Sequence, residues 1–203
     1  MGALTIGVLA SGRGSNLQAI LDAIDQGRLN ARVAVVISDN SRALALERAR
    51  ARGIPAHFVD LGGHPDIESY EREIVSLLKA HGVELVCLAG YMRIVGPLVL
   101  DAFPNRILNI HPTLLPAFPG LHAHRQVLDY GVRYSGCTVH FVDHGVDTGP
   151  IILQAVVPVY QDDTEETLAA RVLAEEHRIY PEAIRLFIEG RLSTRGRKVI
   201  IAD

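Results

Sequence analysis

The sequence predicts an α/β fold built on a mixed, mostly parallel sheet between layers of helices. Three observations carry this. Short β-branched runs alternate with helical patterns through the first half, and glycine closes each helical pattern. Later, two strand patterns are joined by a link, "DHGVDTG", too short for a parallel crossover.

Strand patterns are expected over Leu4–Leu9, Arg32–Ser38, Ala56–Val59, Glu84–Leu88 and Arg106–Ile110. Between them, apolar residues three or four apart predict helices: Leu17, Ile20, Leu21 and Ile24, then Leu44 and Leu46 before Gly53, then Ile67, Tyr70, Ile74, Leu77 and Leu78 before Gly82. Strand–helix–strand alternation of this kind implies parallel pairing with right-handed crossovers. A helix follows over Leu121–Tyr130, then the hairpin strands Ser135–Val142 and Pro150–Val159. Asp163 with Glu166 resembles a capping box that opens a long helix running to about Glu189. The expectation is a three-layer α/β domain with a Rossmann-like N-terminal half. No linker or repeat divides it, so residues 1–203 read as one domain, with halves of about 1–100 and 101–203.

Composition excludes several classes. A net charge of −3 provides no basic field for nucleic acid. The apolar runs "AVVIS" and "PIILQAVVPV" are too short to span a bilayer. The N-terminal "MGALTIGVLASGRG" lacks a basic leader and reads as a strand. Cys87 and Cys137 stand 50 residues apart and form no metal-type pair, which suits a reducing compartment, and a cytoplasmic location is expected. The basic tail "RLSTRGRKVIIAD" reads as a solvated edge.

The segment "LTIGVLASGRGSNLQAI" is a strand, a glycine turn and a helix. Free N–H groups at such a helix start attract an anion, aided by the helix dipole. The third glycine of a dinucleotide fingerprint is missing, as is any Gly-Lys-Ser/Thr of a nucleotide P-loop. Gly14, Ser15 and Asn16 therefore suit a single terminal phosphate, or equally a simple helix cap at Ser15 or Asn16.

In "NRILNIHPTLLPAFPG", Asn109 and His111 share one strand face at a carboxyl end, where ligands bind parallel sheets. Asp147 lies in the hairpin link. An amide, an imidazole and a carboxylate at one mouth suit acyl transfer through a tetrahedral intermediate. Asn109 and protonated His111 would donate to the oxyanion, with Asp147 holding the imidazole charged and raising its pKa. The plainer readings are a hydrogen-bonded loop histidine and a turn aspartate. A metal site built from His111, His122, His124, His140 and His144 lacks any organising motif, and no metal is expected. Glu176 stands out separately. It interrupts the apolar series Leu168, Val172, Tyr180, Ile184 at a spacing of four, where a buried carboxylate needs a partner, an internal base such as Arg185 or a ligand.

The motifs "SGRGSNLQAI", "LAGYMRIV", "LNIHPTLLPAFPGLHAH" and "VHFVDHGVDTGPIILQ" together resemble the folate-dependent formyltransferases. Their order and spacing resemble the branch that formylates glycinamide ribonucleotide in purine synthesis. The resemblance implies the formyltransferase fold, with 10-formyltetrahydrofolate and the ribotide as partners. It matches Asn109, His111 and Asp147 to the catalytic set, with His111 as general acid. It gives Gly14, Ser15 and Asn16 to the ribotide phosphate and Glu176 to the ribose hydroxyls. Leu88, Tyr91, Met92, Arg93, Ile94, Val95, Asn109, Val142 and Asp143 would line the folate pocket. Tyr91 stands where phenylalanine is frequent, Thr148 where glycine is common, and Ile67 where a bacterial relative pattern has arginine.

Related chemistries resemble this one. A formyltetrahydrofolate hydrolase carries an added N-terminal domain, whereas the first strand here begins at Leu4. A tRNA formyltransferase carries a C-terminal tRNA-binding domain, for which the tail is short. A non-catalytic ribonucleotide-binding module is the third alternative. A homodimer is left open by the sequence.

Overall fold

The computed structural model describes residues 2–203. The chain forms two compact units that divide between Leu108 and Asn109.

The first unit contains β1 (Leu4–Leu9), α1 (Ser15–Asp25), β2 (Ala31–Ser38), α2 (Leu44–Ala51), β3 (Ala56–Phe58), a 3-10 turn (Leu61–Gly63), α3 (Ile67–Ala80), β4 (Leu85–Leu88) and α4 (Pro97–Ala102). The strands run in the order β3-β2-β1-β4, all parallel, with Val8 opposite both Val36 and Cys87. Ile6, Val8, Leu9, Val36, Ile37 and Leu85 are fully buried, as strands covered on both faces must be. Each such side chain contributes roughly 1.5–3 kcal/mol. Gly7 is a consequence of close packing, since a Cβ there would lie 2.6 Å from Leu78 Cδ2. The predicted helices are present, and the glycines that follow α1, α2 and α3 adopt φ of 70°, 68° and 65°. Asp66 caps α3 by accepting from Ser69 N–H at 2.7 Å. The short helix α4 was not expected. It is one and a half turns beginning at Pro97, too brief for a readable period.

β5 (Ile107–His111) crosses into the second unit, which continues with α5 (Ala123–Tyr130), β6 (Tyr134–Phe141), β7 (Ile151–Pro158), α6 (Glu165–Ile188), β8 (Leu192–Arg195) and β9 (Lys198–Ile201). Here the order is β5-β6-β7-β9-β8. The β6/β7 hairpin is antiparallel, as its short link requires, β7 and β9 are parallel, and β8 and β9 are antiparallel. The sheet is thus mixed and mostly parallel.

One local expectation, the cap of α6, is corrected, while the basic tail lies exposed at the sheet edge as expected. The cap of α6 is Thr164, which accepts from Thr167 N–H at 3.3 Å while Thr167 Oγ1 accepts from Thr164 N–H at 2.9 Å. Asp163 instead grips Arg171 through both carboxylate oxygens at 2.8 Å, which holds its carboxyl well below the usual range. The basic tail forms the β8/β9 hairpin around Gly196, and Arg197 donates to Thr148 O at 2.8 Å. Among the described residues no helix is long and apolar enough to cross a membrane.

Candidate active site

Asn109 and His111 occupy the last residues of β5 on one face, and the β6/β7 link brings Asp147 to them. Asp147 Oδ2 lies 3.3 Å from His111 Nδ1, and Asn109 Nδ2 donates to Asp147 Oδ1 at 3.4 Å. The link is held in shape by Asp143, whose Oδ1 accepts from Gly145 N–H at 3.1 Å and Thr148 Oγ1 at 2.6 Å. Gly149 is needed because a Cβ there would sit 1.7 Å from Phe141 O. Asp147 itself takes φ 53°, a left-handed conformation costing a non-glycine residue of order 1–3 kcal/mol. Phe118 and His122, in the loop facing it, are also left-handed, at φ 54° and 56°. Left-handed backbone thus stands on both sides of this one carboxylate.

A fourth residue completes the cluster. His140 on β6 is buried, its Nε2 3.2 Å from Asn109 Nδ2 and 3.6 Å from Asp147 Oδ1. Its Nδ1 meets Phe141 O at 2.7 Å. A carbonyl only accepts, so Nδ1 carries the proton and Nε2 accepts from Asn109. The sequence offered His140 only as a metal candidate. Its even register with Thr138 on β6, facing the β5 end, was the missed signal.

The electrostatics correct one expectation. Burial, the largest influence, lowers the His111 pKa. The Asp147 charge and the Phe118 carbonyl raise it, the His140 charge lowers it, and the net direction is down. Asp147 acts in the expected sense but does not win, so the resting imidazole is neutral at pH 7. For Asp147, burial pushes the pKa up, but the neighbouring His140 ring, the Gly120 N–H bond (2.8 Å) and positive charge arising on His111 or His140 outweigh it, and the carboxyl titrates below its ordinary value. Asp147 is therefore the charged member of the cluster.

On α6, Glu176 is buried at the predicted stripe position. Burial, then the charges of Glu176 and Glu175, push the Cys137 thiol up to about 12, so Cys137 is an inert core group. Arg185 is committed to Glu182 at 2.7 Å and Glu189 at 2.5 Å. Val142 is partly covered just past β6. Among the described residues no three His, Cys, Asp or Glu side chains are arranged to hold a metal ion.

In the first unit, Gly14 is the N-cap of α1 at φ 69°, with no side-chain cap, so the capping reading of Ser15 or Asn16 is set aside. A Cβ on Gly14 would lie 2.8 Å from both Ala45 Cα and Cβ, so conformation and space both demand glycine. The first helical N–H bonded to the turn is that of Gln18, to Gly14 O at 2.9 Å. Ser15 and Asn16 are the first two residues of this 11-residue helix. Ser11 Oγ accepts from Met92 N–H at 2.9 Å, tying this turn to the segment after β4. In that segment Leu88 and Val95 are buried, whereas Met92 and Ile94 are 58% and 70% exposed. The Tyr91 hydroxyl is 2.6 Å from that of Tyr70, so it points to a partner inside the unit. Arg93 pairs with Asp39 at 2.9 Å. Ile67 is exposed at the start of α3.

The formyl transferase family model matches residues 4–184. The chain is 46% identical to phosphoribosylglycinamide formyltransferase of Escherichia coli, over 93% of this chain and 89% of that protein. It is 41% identical to the protein of the same name from Bacillus subtilis, over 94% and 97%. The crystal structure of glycinamide ribonucleotide transformylase 1 from Symbiobacterium toebii superposes with a TM-score of 0.98 at 61% identity, covering 100% of this chain and 96% of that one. The chain belongs to the formyl transferase family.

Proposed function

We propose that the protein transfers the formyl group of 10-formyltetrahydrofolate to the amino group of 5-phosphoribosylglycinamide. The products are the N-formyl ribotide and tetrahydrofolate, and the step belongs to de novo purine biosynthesis. The observation that carries the reading is that Asp147 lies within hydrogen-bonding reach of both Asn109 and His111 at the end of β5. The names of the relatives above support the choice of acceptor.

The residues divide the work. The ribotide amine attacks the formyl carbon, and Asn109 and His111 stabilise the charge that develops on the formyl oxygen. The Asn109 amide makes two long bonds, 3.2 and 3.4 Å, and a developing oxyanion competes well for one of its hydrogens. Asp147, already ionised, takes the proton that the attacking amine sheds and passes it to His111 Nδ1. The carboxylate then faces a positive imidazolium whose new N–H serves the oxyanion, and that same proton is the one later given to N10. Collapse of the intermediate breaks the carbon–N10 bond, and N10 takes a proton as it leaves. The reaction thus moves one proton from the amine to N10, with no enzyme nucleophile required.

Ser15 and Asn16 at the start of α1 hold the ribotide phosphate, and Glu176 accepts from the ribose hydroxyls. Leu88, Tyr91 to Val95, Val142 and Asp143 receive the folate. Purified protein with both substrates tests the reading, followed by folate deformylation. Deformylation that depends on the ribotide, with stoichiometric formyl ribotide, is expected. Deformylation at an equal rate without the ribotide makes the protein a hydrolase, and no deformylation makes it a binding module.

A further inference from the structure

His111 faces an acceptor at each ring nitrogen: Asp147 Oδ2 at Nδ1 and Phe118 O at Nε2, 2.9 Å away. A carbonyl oxygen cannot donate, so the Phe118 contact exists only when Nε2 carries a hydrogen. The neutral ring is then the Nε2–H tautomer. Any proton that enters or leaves the ring does so at Nδ1, on the side of Asp147. The position of one carbonyl therefore decides which nitrogen works.

That carbonyl is placed by a buried threonine. Thr113 is fully buried two residues after His111, and its single hydroxyl proton is shared between Ala117 O at 2.7 Å and Phe118 O at 3.2 Å. The loop is tied down again from β6. Thr138 Oγ1 donates to Thr113 O at 2.7 Å and accepts from Leu115 N–H at 3.0 Å, and Gln154 Nε2 reaches both Thr138 Oγ1 and Leu115 O at 3.0 Å. Phe118 keeps its left-handed φ of 54° within this frame. Beside the Ala117 N–H bond to Leu114 O at 3.0 Å, the Thr113 hydroxyl draws the carbonyls of Ala117 and Phe118 inward toward the ring.

We propose that Thr113 is a positioning residue for formyl transfer: through the Phe118 carbonyl it locks His111 as the Nε2–H tautomer and reserves Nδ1 for the reaction. The proposal rests on the reading of His111 as catalytic. Its structural half does not, because the tautomer is read without substrate.

The test uses the full chain with ¹⁵N-labelled histidine. In the wild-type protein at alkaline pH, the His111 ring nitrogens are expected to show the Nε2–H pattern. Thr113→Val should give a mixture of tautomers and lower kcat about tenfold, with both KM values within about twofold, the pattern of a displaced catalytic group. Thr113→Ser should restore both. If Thr113→Val does not fold, Thr138→Val, which releases the Thr113 carbonyl from the same frame, should show the same two changes. An unmoved Nε2–H pattern in the folded variant overturns the proposal, as does a tautomer mixture with full kcat. If His111→Asn keeps wild-type turnover, the catalytic reading of His111 fails instead, whatever the threonine variants do.

Discussion

Asp147 Oδ2 faces His111 Nδ1 across 3.3 Å while its other oxygen receives Asn109 Nδ2 at 3.4 Å, so one carboxylate orients both groups at the end of β5. Asp147→Asn retains an oxygen for Gly120 N–H and tolerates the left-handed backbone, but removes the charge. Because that charge raises the His111 pKa, the value should fall further below its ordinary range in the variant. NMR titration of His111 checks this. Turnover should fall at least about tenfold. An unmoved titration means that the pair is not electrostatically coupled.

The same groups set the response to acid. His111 titrates below its ordinary value of 6.5 in the fold, so as pH falls through 6.5 the unfolded chain takes up the proton first. Stability is full above 6.5 and is lost between that value and the lowered one. Asp147, lowered from 3.8, contributes stability above that value, which is lost only as pH falls through its folded pKa. Urea midpoints at pH 7.5 and 5.5 should therefore differ less in His111→Gln than in the wild-type protein. A residual drop should persist from His124, which burial also lowers. Equal drops in both proteins would contradict the assignment.

Much of this was legible in the sequence. The strand–helix alternation, the C-cap glycines and the short hairpin link fixed the mixed sheet, because each is a local rule acting on a few residues. Asn109, His111 and Asp147 could be nominated from strand-end position. What could not be read was long-range balance. Whether burial or Asp147 dominates the His111 pKa depends on how tightly residues 113–122 cover the ring. His140 entered the cluster only through the β6 register, and the β8/β9 hairpin hid because basic residues dilute its apolar alternation.

The turn before α1 makes a sharper demand than its composition suggests. Gly14→Ala must accept φ 69° and a Cβ 2.8 Å from Ala45, so a loss of about 1–3 kcal/mol is expected. Gly12 has open space around its Cβ position and no positive φ, so Gly12→Ala should stay within about 0.5 kcal/mol of wild type. Denaturant melts of the two variants check the contrast.

Tyr91 provides the opposite case, a residue whose hydroxyl serves the fold. Tyr91→Phe strips the partner at 2.6 Å from the buried Tyr70 hydroxyl and should destabilise the protein by about 1–2 kcal/mol. The KM for 10-formyltetrahydrofolate should stay within about twofold of wild type. A large rise in that KM with unchanged stability would move the hydroxyl from the core to the ligand.

The most direct test is a double-mutant cycle on kcat/KM for formyl transfer, with Asn109→Ala, His111→Ala and the pair. Each single variant should lose about 10²-fold or more. The pair should lose far less than the product of the two, because both groups serve one oxyanion and act as a unit. Losses that multiply fully would show that Asn109 and His111 act on the reaction independently, and would contradict the shared site.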